Sequence, residues 1–484
     1  MKKSISKNYI YNLSYQLLTL FTPFITTPYI SRVLGPDGVG TYSYTTSIVA
    51  YFILLASLGI ANYAQREIAY HQDDVQAQSR IFYEVVGIRA ITVGISLLSY
   101  YLIISHCDVE DQVIYWVQAI NIIVVLFDIS WFFQGLEEFG KIVLRNFVVR
   151  ILNIAGIFLL IHDASDLLLY IGMMAVMNLL GAVSIWFYLP RYLVRVARAE
   201  INPFRNFLVI IQLFLPQIAI QVYTVFDKTM IGVLTGSAFE NGYYEQAEKI
   251  VKIGLMLVTS LGPVMLPRIA SAYAHNDTES IHRYIMRSYR FVWMIGLPMM
   301  FAMIGLIDTA VPWFFGPGYD KVGLLVKVFS VLLLAIGISN VTGIQYLLAV
   351  NRQNALTVSV TAGALVNFAL NLVLIPLFMS LGAAIASITA EICVTAVQFW
   401  FVRRVFDVSE VLLLGRKYLL GGMGMLLVIM LLDNALQLEA CILTTAVLGL
   451  SGVVAYSLFL LCTRDELFMW GIGKAREKIL QRFG

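Results

Sequence analysis

Chemistry in this 484-residue chain would have to come from the few charged side chains that interrupt its long apolar stretches. A charged residue near the centre of a bilayer costs about 2.5–3.5 kcal/mol on insertion scales, so such residues usually face an internal polar cavity. Arg32 and Lys228 are two such cations, and neither belongs to an i,i+4 pair with an acidic residue. Guanidinium and ammonium groups bind phosphate well, so these two residues predict a cavity for an anionic ligand.

A second group of charged residues lies toward one end of the early apolar stretches. It contains Arg89, Asp128 and Arg150. At about 1.5 Å of rise per residue, Asp128 and Arg150 lie at similar depths, so they can pair. A structural salt bridge between helices and a role in the cavity explain this pair equally well.

Glu391 stands near the middle of a later apolar stretch. A carboxylate at this depth can exchange a proton or bind Na⁺, and together with Asp128 it forms the candidate pair for ion coupling. The more common role of such a residue is a structural hydrogen bond inside its own helix bundle.

A third group lies around the middle of the chain. Asp227 precedes Lys228, and four further residues form the pairs Glu245–Lys249 and Glu248–Lys252. Both pairs have i,i+4 spacing with the glutamate first, which is the favourable order on a helix. They can line the cavity, or they can simply neutralise each other at the membrane surface.

No catalytic motif accompanies these residues. The sequence has no phosphate-binding loop, no GxSxG and no HExxH, and its four cysteines are dispersed, which predicts neither an enzyme nor a metal site nor a bound cofactor. The net charge is only +3 and the basic residues form no continuous stripe, which excludes a nucleic-acid partner.

The elements that carry these residues must be membrane helices. The chain is 59% hydrophobic and only 13% charged, with a mean hydropathy of +0.80, whereas soluble domains are about 25% charged. We therefore predict an all-α polytopic membrane protein with about fourteen transmembrane helices. They are expected near residues 9–33, 43–62, 81–105, 113–134, 142–161, 167–189, 207–234, 246–267, 286–310, 322–348, 355–378, 379–402, 415–434 and 440–462.

An internal repeat divides these helices. Tyr42 and Arg66 correspond to Tyr244 and Arg268 at one constant spacing of 202 residues. Lysine and arginine fall in alternate connections, so both termini are predicted to be cytoplasmic and the two halves to be parallel repeats. The predicted organisation is an N-terminal lobe (1–190, helices 1–6), a cytoplasmic linker (191–206), a C-terminal lobe (207–404, helices 7–12), and a last part with helices 13–14 and an amphipathic tail (405–484).

Local breaks are also predicted. A Gly/Pro turn at residues 34–40 should join the first two helices, and prolines should kink or end helices 1, 7 and 8. These are Pro23, Pro28, Pro216, Pro263 and Pro267. The aromatic run at residues 131–133 (Trp-Phe-Phe) fits a membrane-interface belt.

Four motifs in order carry a resemblance to Wzx-type polysaccharide biosynthesis flippases, which share a superfamily with MATE exporters and lipid II flippases. The motifs are Ile30–Ser43, Asp128–Glu137, Asp227–Gly232 and Gly242–Ile250. The resemblance implies a monomer of two lobes in the bacterial cytoplasmic membrane. It would translocate an undecaprenyl-diphosphate-linked oligosaccharide to the outer leaflet for capsule, exopolysaccharide or O-antigen synthesis.

The same resemblance implies membrane lipids, a polysaccharide polymerase and a chain-length regulator as partners, and an H⁺ or Na⁺ gradient in place of a cofactor. In the related lipid II flippases cations line the central cavity, which by position in the fold supports such a role for Arg32 and Lys228.

Three alternatives stay open from the sequence. A lipid II flippase would use the same mechanism on another headgroup. A MATE-type exporter of small cations would need a cavity of aromatics and carboxylates rather than of cations. A membrane glycosyltransferase or polymerase would need a large outer loop, but the longest outer connection here has only about a dozen residues.

Overall fold

The computed structural model describes residues 5–107, 111–437 and 439–483; at 5–21, 213, 215–224 and 475–483 the description is of the backbone alone. The described residues contain helices and turns but no strand. The chain divides into two compact units, residues 1–242 and 243–484. The predicted lobe boundaries at 190 and 207 remain a prediction.

Nine helices lie wholly within the described part of the first unit. They are α1 (Ile5–Ser57), α2 (Ile60–Tyr70), α3 (Val75–His106), α4 (Gln112–Gln118), α5 (Ile120–Phe127), α6 (Ser130–Gly135), α7 (Phe139–Leu160), α8 (Leu167–Ser184) and α9 (Phe207–Thr235). Three short 3₁₀ turns, Ala164–Asp166, Ile185–Arg191 and Arg198–Glu200, connect α8 to its neighbours and lead toward α9.

The predicted turn between the first two helices is a break of a single residue. Gly35 has φ +66° and ψ 176°, a conformation that glycine adopts at little cost, and it divides α1 into two helical halves. Pro23 and Pro28 lie in the first half and Pro36 just after the break, all with helical backbone angles. Within the described part of α1 only Gly35 leaves the helical range of backbone angles, and the kinks predicted at Pro23 and Pro28 stay predictions. Pro216 lies outside the residues whose side chains are described.

Two glycines let α1 approach the start of α10 (Ala238–Val258) backbone to backbone. A Cβ placed on Gly40 would lie 1.7 Å from the Ala238 carbonyl oxygen, and one on Gly242 would lie 2.0 Å from the Pro36 carbonyl oxygen. No side chain fits at either position. We call this pair of approaches the glycine contact.

Nine further helices follow α10 in the described chain. They are α11 (Gly262–Ala274), α12 (Thr278–Phe314), α13 (Asp320–Phe329), α14 (Leu332–Asn340), α15 (Gln353–Phe378), α16 (Ser380–Val402), α17 (Val408–Leu436), α18 (Ile442–Cys462) and α19 (Glu466–Phe483), with a π-helical turn at Val341–Leu347.

The short helix α11 follows α10 as α2 follows α1. The predicted helix 8 is interrupted after Val258, just before Pro263 at the start of α11, whereas Pro267 lies inside α11. The long helices α3 and α12 then begin at equivalent N-caps: Asp74 accepts a bond from the Ala77 amide (2.9 Å), and Asp277 from the Ser280 amide (3.0 Å).

Twelve helical segments of the described chain are long and apolar enough to cross a membrane. One of them, Thr22–Tyr70, covers residues 22–33 of the first predicted span and the whole of the second, and α9 lies outside the twelve. The chain is thus an all-α polytopic membrane protein, and the segments leave room for the predicted number of about fourteen.

The aromatic run Trp131-Phe132-Phe133 is not a membrane belt, and that interpretation was wrong. All three side chains are buried, at 2% exposure or less, in a cluster with Phe82 on α3 and Ile60 on α2. Trp131 stacks on Phe82 with ring centroids 5.8 Å apart. The run therefore fastens α6 into the core of the first unit.

Candidate functional site

A polar cavity of about 500 Å³ lies inside the first unit, at the break between α5 and α6. This volume falls in the range of small-ligand sites, which is about 300–1,000 Å³. Its walls come from α1, α2, α3, α5, α7 and α8. The polar or charged lining residues are Ser57, Arg89, Asn121, Asp128, Arg145, Asn146 and Asn178. We call it the N-unit cavity.

Arg89 is the most deeply buried cation of this cavity, at 3% exposure. Its guanidinium donates to the carbonyls of Val125 (3.0 Å) and Asp128, where α5 ends and its last carbonyls have no helical partners. The ring of Trp131 lies 5.9 Å from its central carbon. Its Nε has no hydrogen-bond partner among the described residues, so this buried cation retains an unused donor.

Asp128 pairs with a cation that the sequence argument did not select. Its Oδ1 lies 3.4 Å from Nη1 of Arg145 and accepts bonds from the amide (3.1 Å) and the hydroxyl of Ser130. Arg145 also donates to the Ser130 hydroxyl at 3.0 Å. The predicted partner Arg150 instead donates through Nε to the Thr22 hydroxyl on α1, at 3.0 Å.

Amide side chains supply the rest of the polar lining. Asn146 holds Arg145 through two bonds of 2.9 and 2.6 Å to its oxygen. Asn121 donates to Gln118 (2.8 Å) and accepts from Asn178 (3.5 Å), so three helices share one amide network. Amides both donate and accept hydrogen bonds, as sugar hydroxyls do.

The cavity therefore combines two guanidinium groups, one carboxylate and three amides within membrane-spanning segments. The cations exceed the carboxylate by one. This arrangement suits a ligand that carries both hydroxyls and negative charge, because guanidinium groups bind phosphate and carboxylate oxygens in bidentate geometry.

Of the other predicted site residues, several lie on α1 and α9. Arg32 is exposed on the first half of α1, Lys228 is half-buried, and Asp227 is buried at 8% exposure. Next to Lys228, the Thr229 hydroxyl bonds the hydroxyls of Ser47 (2.9 Å) and Tyr51 (3.0 Å) on α1. None of Arg32, Asp227 and Lys228 lines the N-unit cavity.

The ion pairs predicted on α10 are confirmed. Glu245 and Lys249 lie 3.2 Å apart, and Glu248 and Lys252 lie 2.8 Å apart. Glu391 is half-buried on α16. The roles of these residues in a cavity or in ion coupling stay predictions.

Sequence reasoning missed Arg145 and the three asparagines. Asparagines inside apolar helices were the available signal, because a buried amide requires hydrogen-bond partners. Arg145 stands near the start of the predicted span 142–161, where a cation is ordinary at a membrane surface, whereas α7 already begins at Phe139.

Comparisons with known proteins agree with this architecture. A sequence profile of the family described as "Polysaccharide biosynthesis protein" matches residues 5–273. A candidate O-antigen transporter of Escherichia coli (strain K12) is 25% identical over 407 residues, covering 83% of this chain and 97% of the relative.

Two solved structures share the fold. The lipid II flippase MurJ in an inward closed conformation has a TM-score of 0.72 at 16% identity, covering 95% of this chain and 99% of its own. An inward-facing multidrug-resistance MATE transporter of the MOP superfamily has a TM-score of 0.63 at 15% identity, covering 82% and 95%. The chain thus has the MurJ and MATE type of membrane fold.

Proposed function

The chain belongs to the polysaccharide biosynthesis protein family, and we propose that it moves a lipid-linked oligosaccharide across the membrane. The substrate of this proposal is an undecaprenyl-diphosphate-linked repeat unit, carried from the cytoplasmic to the outer leaflet of a bacterial membrane. The family, the candidate O-antigen transporter among its relatives and the flippase-like fold support transport rather than bond-making chemistry.

The N-unit cavity is the observation that carries the proposal. Each sugar hydroxyl costs several kcal/mol to strip of water in hydrocarbon, so the headgroup cannot cross unaided. Asn121, Asn146 and Asn178 replace part of that water with amide hydrogen bonds. Arg145 offers charge-assisted bonds to the diphosphate or to an acidic sugar.

The proposed cycle is alternating access, with the headgroup loaded from the cytoplasm and released outside. It uses the predicted lobes 1–190 and 207–404, with both chain termini in the cytoplasm and Arg32 and Lys228 as further cations on the path. Asp128 or Glu391 would couple the cycle to an ion gradient. The prenyl tail stays in lipid, so only the headgroup needs a polar path.

Gene deletion tests the assignment as a whole. Lipid-linked repeat units should accumulate on the cytoplasmic leaflet while surface polysaccharide disappears, and a plasmid copy of the gene should restore it. Unchanged surface polysaccharide in the deletion strain would refute the proposal.

Substitution of Arg145 tests the cavity. A charge-assisted hydrogen bond contributes about 1.5–3 kcal/mol, so Arg145→Gln should slow export roughly ten- to a hundredfold at normal membrane levels. Arg145→Lys keeps the positive charge but not the bidentate geometry of the guanidinium group, so its export rate should fall less than that of Arg145→Gln. Arg198→Gln, an exposed arginine outside the cavity, is the matched control and should export normally.

The double variant Asp128→Asn/Arg145→Gln separates two explanations of that loss. If the loss reflects only an unpaired Asp128, the double variant recovers export. If Arg145 binds the substrate, the double variant stays slower than Asp128→Asn alone, and that single variant measures any role of Asp128 itself. Normal export by Arg145→Gln, or recovery by the double variant, would remove the cavity from the proposal.

A further inference from the structure

A separate basic cavity of about 420 Å³ lies in the second unit, between α12 and α19. Arg283, Arg287 and Arg290 follow one another at i, i+4 and i+7 on α12, so they share one helix face. The lining is completed by Met286 of α12 and by Glu466, Leu467 and Trp470 of α19. We call it the α19 pocket.

Two of its arginines hold only exposed ion pairs. Arg290 lies 2.5 Å from Glu466, whose side chain is 82% exposed, and Arg283 lies 3.3 Å from Glu279, whose side chain is 88% exposed. Exposed pairs of this kind contribute little to stability because water screens them. Both arginines can therefore turn to a stronger anion without a large loss.

The third arginine faces an aromatic ring. Arg287 lies 5.7 Å from the centroid of Trp470, and Lys474 lies 4.5 Å from the same ring. Among the side chains that the structure describes, the lining of the pocket contains three arginines and one carboxylate, Glu466. The α19 pocket is positive.

The position of α19 is fixed by the fold. Asp465, the residue before its first turn, accepts bonds from Lys417 (2.9 Å) and Tyr418 (2.8 Å) on α17. The pocket wall formed by Glu466, Leu467 and Trp470 is therefore tied to the membrane helices.

The α19 pocket lies where the headgroup of a membrane lipid would be expected. The membrane-spanning helix α18 ends at Cys462, only four residues before α19 begins, and tryptophan is enriched at the membrane–water interface. Next to the pocket, an apolar cavity of about 280 Å³ includes Met294 of α12, one turn beyond Arg290, and Phe468 of α19. A ligand with a phosphate and an acyl chain would fill both cavities.

We propose that the α19 pocket binds the phosphate headgroup of an anionic phospholipid of the surrounding membrane. Basic pockets beside membrane helices bind such headgroups through arginine and lysine. The proposal concerns the second unit alone and does not depend on the transported substrate, so it stands or falls separately from the proposed function.

The test uses the purified full-length protein in detergent micelles that contain phosphatidylglycerol or phosphatidylcholine at equal mole fraction. Native mass spectrometry counts the retained lipids. Phosphatidylglycerol should bind at least about fivefold more tightly than phosphatidylcholine. Arg287→Gln should weaken the binding of phosphatidylglycerol about fivefold, since one cation near the membrane surface contributes a factor of this size. Arg287→Gln/Arg290→Gln should weaken binding about 25-fold.

Two controls keep the result specific. Arg403→Gln removes another exposed arginine that lies over a tryptophan, 5.0 Å from the ring of Trp400 but outside the pocket, and should bind the lipid as the wild type does. Glu466→Gln removes a competing carboxylate and should bind phosphatidylglycerol more tightly, which a merely destabilised protein would not do.

Equal binding of the two lipids, or equal losses in Arg287→Gln and Arg403→Gln, would overturn the proposal. Inorganic phosphate alone is the second probe. Displacement of phosphatidylglycerol by millimolar phosphate would assign the pocket to a free anion and would likewise overturn the lipid assignment.

Discussion

Replacement of Asp465 by alanine should release α19 from the rest of the second unit. This carboxylate is 4% exposed and accepts four hydrogen bonds. Oδ1 accepts from the amides of Leu467 and Phe468, both at 3.1 Å, which is the arrangement of a helix N-cap. Oδ2 accepts from Lys417 at 2.9 Å and from Tyr418 at 2.8 Å.

The size of the effect follows from these bonds. An N-cap contributes about 1 kcal/mol. The two bonds from Lys417 and Tyr418 involve a charged acceptor, for which about 1.5–3 kcal/mol each is typical. Lys417 is one-third exposed and also bonds the Thr463 carbonyl (3.3 Å), so we count the pair at about 2 kcal/mol in all. Asp465→Ala should therefore cost about 3 kcal/mol of local stability.

Hydrogen exchange of the α19 backbone measures this loss. A change of about 3 kcal/mol lowers the protection of its amides roughly a hundredfold. Asp465→Asn keeps an oxygen for the two amides and should lose about 2 kcal/mol. Asp407→Ala removes another N-cap, whose oxygen accepts from the Ser409 amide at 2.9 Å at the start of α17, and should leave α19 unchanged. Protection of α19 within threefold of wild type in Asp465→Ala would refute the reasoning.

Acid should release the same helix without mutation. Burial raises the pKa of the Asp465 carboxyl, but the bonds from Lys417, the Phe468 amide and Tyr418 outweigh it and hold the pKa below its usual range near 3.9. A carboxyl with a lowered pKa contributes stability above its unfolded pKa and loses it as the pH falls through the folded value. Protection of α19, corrected for the chemical exchange rate, should thus be constant from pH 7 to about 4 and fall below that.

Two further substitutions test the packing of the first unit. Gly40→Ala should destabilise the protein strongly, because its Cβ would lie 1.7 Å from the Ala238 carbonyl oxygen. Gly94→Ala in α3 is the control: its Cβ meets no atom within 4 Å, so the substitution should be neutral or slightly stabilising. The melting temperatures of the two variants should differ clearly, and equal values would contradict the glycine contact. Trp131→Ala should lower the free energy of unfolding by about 3–5 kcal/mol, because it removes a buried aromatic side chain. Trp400 is 56% exposed, so Trp400→Ala should lower it far less. A similar loss of stability in both variants would restore the membrane-belt interpretation.

Composition and local spacing were sufficient for the fold class and for the pairs on α10. Glu245 and Lys249 meet because one helix turn brings them together, and no knowledge of other helices is needed. The fold class follows from the length of the apolar segments alone, because a segment of about twenty apolar residues is typical of a transmembrane helix.

Contacts between different helices could not be predicted from composition and local spacing. The rise per residue gives the depth of Asp128 and Arg150, but not the direction in which each side chain points around its helix. Arg145, five residues earlier on α7, faces Asp128, whereas Arg150 faces α1. For the same reason apolar character could not distinguish the buried Trp131 from a lipid-facing one, since protein core and lipid tails are equally apolar.

The glycine contact has a mechanical consequence. Where side chains interdigitate, a small displacement is absorbed as rotamers adjust, but bare α-carbons against carbonyl oxygens leave no such slack. Any movement of α1 that closes the gap at Gly40 must therefore displace the chain at Ala238, because no change of rotamer can make room for it.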